Sequence, residues 1–279
     1  MAEPLLTVED LRVRFSTPRG LVDAVRGVSF TVGREKLGIV GESGSGKSTI
    51  GRSILRLHPR FAQMTARRFD FRGIDLLQAG ERQMLDIRGR RISMILQDPK
   101  FALDPVMTVG EQIAEAYRRH RKASRAEARD RALAMLEAVR IRNPGHVYGQ
   151  YPHQVSGGMG QRVMIAMMLI PEPDLIIADE PTSALDVTVR LQVLAILDDL
   201  VSERGIGLIF ISHDLNLVRS FCDRVLIMYA GRIVESVPAA ELDTVRHPYS
   251  RGLLDALPRI DQRRDRLPVM VRDPAWAQG

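Results

Sequence analysis

Residues 36–57 read KLGIVGESGSGKSTIGRSILRL, and the centre of that stretch, Gly41–Thr49 (GESGSGKST), decides how the rest of the chain is read. A short apolar run, Lys36–Val40, leads into a loop of alternating Gly and Ser, and a helical pattern from Ser48 to Leu57 follows it. Gly41, Gly46, Lys47 and Ser48 fit the spacing of a glycine, four residues, then Gly-Lys-Ser, between a strand and a helix. Glycines let successive backbone N–H groups curl around phosphate oxygens, and the positive end of the following helix adds to the same field. Lys47 is placed to reach β- and γ-phosphates, and the Ser48 hydroxyl to join a Mg²⁺ shell. Average residue frequencies put a chance match in a chain this long on the order of one per cent. The spacing, with a strand before it and a helix after it, therefore predicts a nucleotide-phosphate loop of Gly41, Glu42, Ser43, Gly44, Ser45, Gly46, Lys47, Ser48 and Thr49, for which a flexible Gly/Ser turn is the alternative.

Outward from the loop, strand-like and helical segments alternate. Residues 5–15 and 25–32 carry partial two-residue alternation, Arg91–Leu96 reads as a strand, and from Thr108 to Arg140 the apolar period changes to helical. Leu175–Ala178, Leu208–Ile211 and Val225–Met228 read as strands, with helices at Val189–Val201 and Leu215–Phe221 between them. Alternating strands and helices imply an α/β domain with a mostly parallel core sheet. The early strands imply a smaller β portion, and residues of about 100–165 a helical insertion.

Composition limits the classes. The 279 residues carry 45% apolar and 27% charged side chains, an ordinary globular balance. The longest notable apolar run, Val163–Ile170, ends at Pro171 and is far too short to span a bilayer. No basic n-region precedes an apolar run at the N-terminus, so no signal peptide is expected. One cysteine, Cys222, makes neither an internal disulfide nor a thiolate cluster site. The net charge of +6 is concentrated in two stretches, 52–72 and 118–131, each +5. A solvated helix face is the ordinary reading of such a run; lipid headgroups, a membrane partner or nucleic acid are the alternatives.

A second acidic signal lies downstream. Residues 175–180 read LIIADE, an apolar strand ending in two carboxylates. Asp179 is suited to hold Mg²⁺ and Glu180 to act as general base on water. Taken alone, the pair fits a strand-end helix cap equally well. Ser212, His213 and Asp214 are consecutive, which does not suit a serine-hydrolase triad, whose members converge from separate elements.

With SGGM at 156–159, Gln97 in QDP, SALD at 183–186 and His213 in SHD, the full order of motifs resembles an ABC-type ATP-binding subunit over roughly residues 5–257. HPYSRGLL at 247–254, FSTPRG at 15–20 and QDPKFALDP at 97–105 resemble the dipeptide, oligopeptide and nickel importer branch. The resemblance implies a P-loop ATPase with a mostly parallel core sheet, an antiparallel β subdomain and a helical subdomain. Residues 1–257 would form the ATPase domain and 258–279 a C-terminal extension. It further implies Phe15 as an adenine-stacking ring, for which a core phenylalanine is the alternative. Gln97 would contact Mg²⁺ and the attacking water. Ser156, Gly157, Gly158 and Met159 would clamp the γ-phosphate held by an opposite subunit, Asp186 would work at the dimer interface, and His213 would hold the γ-phosphate and water.

ATP and Mg²⁺ are the implied cofactors. An iron–sulfur cluster, carried by many relatives of this branch, is not expected from one cysteine. The implied partners are a second ATPase subunit (a paralogue or a second copy), two permeases and an extracytoplasmic solute-binding protein, with the chain peripheral on the cytoplasmic membrane face. The expected function is ATP hydrolysis driving import of peptides, nickel or related solutes. A soluble ABC ATPase acting on nucleic acid or ribosomes is the alternative, and an exporter subunit a further rival. Gly160 departs from the branch, which usually carries Arg there, and glycine weakens a helix start.

Overall fold

A computed structural model of the chain describes residues 3–18, 20–257 and Trp276. The expected loosely held extension at 258–279 lies, Trp276 apart, outside the described residues. Along the chain run β1 (Leu6–Thr17), β2 (Gly20–Val32), β3 (Lys36–Val40), α1 (Lys47–Ile54), β4 (Ala62–Thr65), β5 (Arg68–Phe71), β6 (Ile74–Asp75), α2 (Glu81–Ile87) and β7 (Ile92–Ile95). There follow α3 (Val109–His120), α4 (Arg125–Ala138), α5 (Pro144–Tyr148), α6 (Gly157–Leu169), β8 (Leu175–Asp179), α7 (Val187–Arg204) and β9 (Gly207–Ser212). The chain ends its described course with α8 (Leu215–Phe221), β10 (Arg224–Tyr229), β11 (Arg232–Pro238) and α9 (Pro248–Asp255). Two compact units divide it: residues 1–78 with 210–279, and residues 79–209, the boundary falling inside β9.

In the first unit, β1 and β2 form a long antiparallel hairpin, from Leu6 opposite Val32 to Thr17 opposite Gly20. Leu11 and Val13 are buried while Arg12 and Arg14 are exposed, the alternation of a sheet with one wet face. β1 also pairs with β4 and β5. β3 differs: four of its five residues are buried, because it lies parallel to β10 and is covered. Gly38 makes that cover possible; a Cβ there would stand 2.3 Å from Val218 of α8. β10 in turn pairs antiparallel with β11.

In the second unit, β7 and β8 run parallel, Ile92 opposite Leu175 through Ile95 opposite Ala178, and every residue of both strands is buried. Small residues let α3, α4 and α5 pack closely. Ala128 and Ala132 of α4 are fully buried, and a Cβ on Gly110 of α3 would fall 2.1 Å from the Tyr148 ring of α5. α6 runs unbroken through Gly160, over which Pro99 lies at ordinary contact distance.

Candidate functional site

The phosphate loop joins the buried end of β3 to α1. Gly41 has φ +154° and Gly46 φ +100°. Both also lack room: a Cβ on Gly41 would lie 2.2 Å from the Met228 carbonyl oxygen, and one on Gly46 2.4 Å from that of Ala24. The end of β10 and the body of β2 thus press against the loop, and only glycine lets it pass between them. Inside it, Lys47 is 5% exposed and donates from Nζ to the Gly41 and Glu42 carbonyls, both at 2.8 Å. Ser45 N–H closes the turn on the Glu42 carbonyl at 3.1 Å. The Ser45 hydroxyl is buried without a hydrogen-bond partner, a cost a structure carries where a ligand atom completes the pairing. α1 has Gly46 as its N-cap and no side-chain cap, so the amides at its start are not covered by a side chain of its own. A buried ammonium, an unpartnered hydroxyl and an uncapped helix start fit a triphosphate.

Other expected residues of this unit lie on separate elements. Phe15 is half-buried on β1, opposite Val22, with its ring edge-on to His58 at 5.4 Å. It is not the core phenylalanine of the alternative reading. His58 Nε2 lies 2.9 Å from Ser53 Oγ and 3.2 Å from the Thr49 carbonyl, and burial holds its pKa below the ordinary value. His213 is exposed just past β9. Its neighbours are used locally: Ser212 Oγ accepts the Asp214 N–H at 3.0 Å, and the Asp214 carboxylate caps α8 through the Leu217 N–H at 3.1 Å. Cys222 is buried and its thiol is pushed up to about 12 by burial, so it packs rather than reacts.

In the second unit, Asp179 ends β8 and is 6% exposed, while Glu180 follows half-buried with φ +49°. A non-glycine residue in the left-handed region costs on the order of 1–3 kcal/mol, and such residues gather at functional sites. The turn is pinned by Ser183, whose N–H and hydroxyl both donate to the Glu180 carbonyl, at 3.3 and 3.1 Å. Gln97 is exposed in the bend after β7. Ser156 caps α6, its Oγ accepting the Met159 N–H at 3.3 Å. Asp186 caps α7 through the Val189 N–H at 3.0 Å. A Cβ on Gly158 would lie 2.6 Å from Val189 Cγ1, so the Ser156–Met159 segment and Asp186 sit at two adjoining helix starts. Ser48, Gln97 and Asp179, the residues expected at Mg²⁺, carry hydroxyl, amide and carboxylate oxygens, each a hard donor of the kind Mg²⁺ takes. Among the described residues no cluster of three or more His, Cys, Asp or Glu could hold a metal by itself, so such an ion would need oxygen ligands from its substrate and water.

The basic stretch 118–131 is partly paired. Arg121 bridges Glu172 at 3.0 Å, and Arg129 lies 5.3 Å over the Tyr148 ring. Arg118 and Arg125, with Met107, Glu111 and Tyr148, line a groove of about 530 Å³. Phe101 and Val106, in the turn ahead of α3, are 84% and 78% exposed. No described helix is long and apolar enough to cross a membrane. Two site features escaped the sequence reading: the His58 contact to Phe15 and a hydrogen bond from Glu42 to Tyr249. A histidine shortly after the phosphate-loop helix was the one available signal for the first.

Residues 25–183 match the family model described as ABC transporter. The probable peptide ABC transporter ATP-binding protein y4tR of Sinorhizobium fredii is 50% identical over 95% of this chain and 79% of its own length. The dipeptide transport ATP-binding protein DppD of Bacillus subtilis is 47% identical over 93% and 78%. The oligopeptide transport ATP-binding protein OppD of Salmonella typhimurium is 47% identical over the same shares. Among solved structures, the ATP-binding cassette MJ0796, in a dimeric post-hydrolysis state bound to ADP and Pi, matches with a TM-score of 0.74 and 26% identity over 84% of this chain and 98% of that one.

Proposed function

The chain belongs to the ABC transporter ATP-binding family, and from that premise we propose that it is the ATP-hydrolysing subunit of a peptide importer, using the residues described above. ATP hydrolysis coupled to transport is the activity that the family and the relatives support. The observation that carries the site assignment is the loop at Gly41–Thr49, where Lys47, the unpartnered Ser45 hydroxyl and the uncapped start of α1 meet.

In this reading Lys47 leaves the Gly41 and Glu42 carbonyls for the β- and γ-phosphates, and the amides at the start of α1 take the remaining oxygens. Phe15 stacks on the adenine ring. Ser48, Gln97 and Asp179 would hold Mg²⁺, and the ion would supply charge neutralisation for the phosphates. Glu180 accepts the proton of the attacking water, and His213 orients that water and the γ-phosphate. Ser156, Gly157, Gly158 and Met159, with Asp186, serve the ATP bound by an opposite ATPase subunit. MJ0796 is dimeric in its ADP-bound structure, which supports a two-subunit arrangement here, formed with a paralogue or a second copy.

The proposed organisation is one ATPase domain over residues 1–257, with a helical portion at about 100–165 and an extension at 258–279. Two permeases dock on the helical portion, where Phe101, Val106 and the Arg118–Arg125 groove are exposed, and hold the chain at the cytoplasmic membrane face. An extracytoplasmic binding protein chooses the cargo; peptides come first because the relatives carry that name, with nickel second. Closing and reopening of the ATPase pair converts binding energy into a shift between two permease states. Purification of the tagged chain from native membranes tests this. Recovery of two permeases and a second ATPase is expected; recovery of ribosomes or DNA in their place contradicts it.

A further inference from the structure

Tyr249, in the HPYSRGLL segment, is wholly buried, with 0% of its surface exposed. A buried tyrosine hydroxyl requires a partner. Here it accepts a hydrogen bond from the Glu42 N–H at 3.1 Å, across 207 positions of sequence. The carbonyl of the same residue, Glu42, accepts from Lys47 Nζ at 2.8 Å and from the Ser45 N–H at 3.1 Å. Glu42 is therefore gripped from both sides: the loop's own lysine and turn hold its carbonyl, and the C-terminal segment holds its amide.

The tyrosine is itself held in place. Its N–H donates to His247 Nδ1 at 3.2 Å, which starts α9. The Glu235 carboxylate of β11 accepts the Arg246 and His247 N–H groups at 2.5 and 3.3 Å. Its ring lies 4.4 Å from that of Tyr229, and Trp276 stands edge-on to Tyr229 at 6.2 Å. Tyr229 follows Met228, whose carbonyl presses on Gly41. The loop is thus braced at its first turn by β10 and α9 together.

We propose that Tyr249 is a positioning residue for the phosphate loop, its hydroxyl fixing the Glu42 peptide so that the loop keeps its shape when Lys47 turns from the backbone carbonyls to phosphate. The proposal rests on the reading of Gly41–Thr49 as the ATP site. Lys47 contributes two of the bonds that hold the turn, and these are the bonds it gives up on binding. A brace that does not depend on the lysine keeps the loop preorganised, which strengthens binding by lowering the ordering cost.

The test is Tyr249→Phe in the full chain, which keeps the ring and its burial and removes the hydroxyl alone. MgATP affinity is expected to fall about fivefold, the size of one ordinary hydrogen bond. In the assembled transporter KM rises by the same factor while kcat stays within about twofold. Amide hydrogen exchange is expected to quicken at residues 41–46 and to stay unchanged across the β1–β2 hairpin. Unchanged MgATP affinity overturns the proposal, as does faster exchange spread over the whole unit or a lowered unfolding temperature with affinity intact, since each of these marks a tyrosine that only packs. Lys47→Ala, run beside it, separates the two claims. If that variant also binds MgATP normally, the ATP-site reading fails; if it loses binding while Tyr249→Phe does not, only the proposal for Tyr249 fails.

Discussion

The starts of α1 and α6 are both glycine-rich helix N-termini proposed to meet phosphate, yet they are built in opposite ways. α6 begins with Ser156, whose hydroxyl caps its own helix. α1 begins with Gly46 in a left-handed conformation and has no side-chain cap. Among the described helices of eight residues or more, α3, α4, α7 and α9 share the arrangement of α6, capped by Thr108, Ser124, Asp186 and His247. A capped start satisfies its orphan amides alone, and an uncapped one is open to an outside anion. The difference supports the proposal that α1 holds phosphate within its own loop. In the proposed function, α6 would instead exchange an internal bond for an external one on meeting phosphate.

This contrast can be broken at several strengths. The largest effect is expected outside both starts: Glu180→Gln should leave MgATP binding intact and cut phosphate release by the assembled complex about 10²–10⁴-fold, the usual reach of a general base. Hydrolysis at the unaltered rate would remove Glu180 from the chemistry and leave the two helix starts to account for it. Next, the glycines should part company. Gly46→Ala meets a carbonyl oxygen at 2.4 Å in a conformation that side chains resist, and should weaken MgATP binding at least about tenfold. Gly157→Ala meets nothing within 4 Å and should leave the unfolding temperature unchanged or raise it slightly, since alanine is the better helix former. Equal damage from both would erase the distinction. The smallest effect belongs to the cap: Ser156→Ala should cost about 1 kcal/mol, read as a fall in unfolding temperature of about 2–4 °C, with MgATP binding by the isolated chain unaltered.

Much of this organisation is legible in the residues alone, and the reason differs from element to element. β3 and α8 emerge within a residue of their sequence bounds because an uninterrupted apolar run and a helix-spaced apolar set have no rival reading. The hairpin of β1 and β2 extends beyond the expected segments, since its tip, with Leu21 and Val22 exposed, lacks the burial that produces alternation. β4, β5 and β6 are two to four residues long, too short for any period, and β11 is mostly half-exposed and so weakly patterned. The stretch expected as one helical run at 108–140 is two helices, parted before the Ser124 cap.

The site divides in the same way. The phosphate loop is local in sequence, so the chain spells it out in nine consecutive residues. The strand-end pair Asp179–Glu180 is local too, though the left-handed turn at Glu180 leaves no mark in composition. The capping roles of Ser156 and Asp186 follow from a polar residue placed three positions before a helical N–H, a pattern visible in SGGM and in the Asp-Val-Thr-Val run. The bond between Glu42 and Tyr249 depends on the folding of β10, β11 and α9 against the loop, and no spacing in the sequence announces it.

The proposed ATP site stands on Lys47. Its ammonium rests on the Gly41 and Glu42 carbonyls at the open start of α1, where no side-chain cap competes for an anion. The most direct measurement is an equilibrium titration of MgATP against the full chain and its Lys47→Ala variant under identical conditions. Loss of two charge-assisted hydrogen bonds to phosphate should weaken binding on the order of 10²-fold. Undiminished affinity in the variant would contradict the assignment of Gly41–Thr49 as the ATP site.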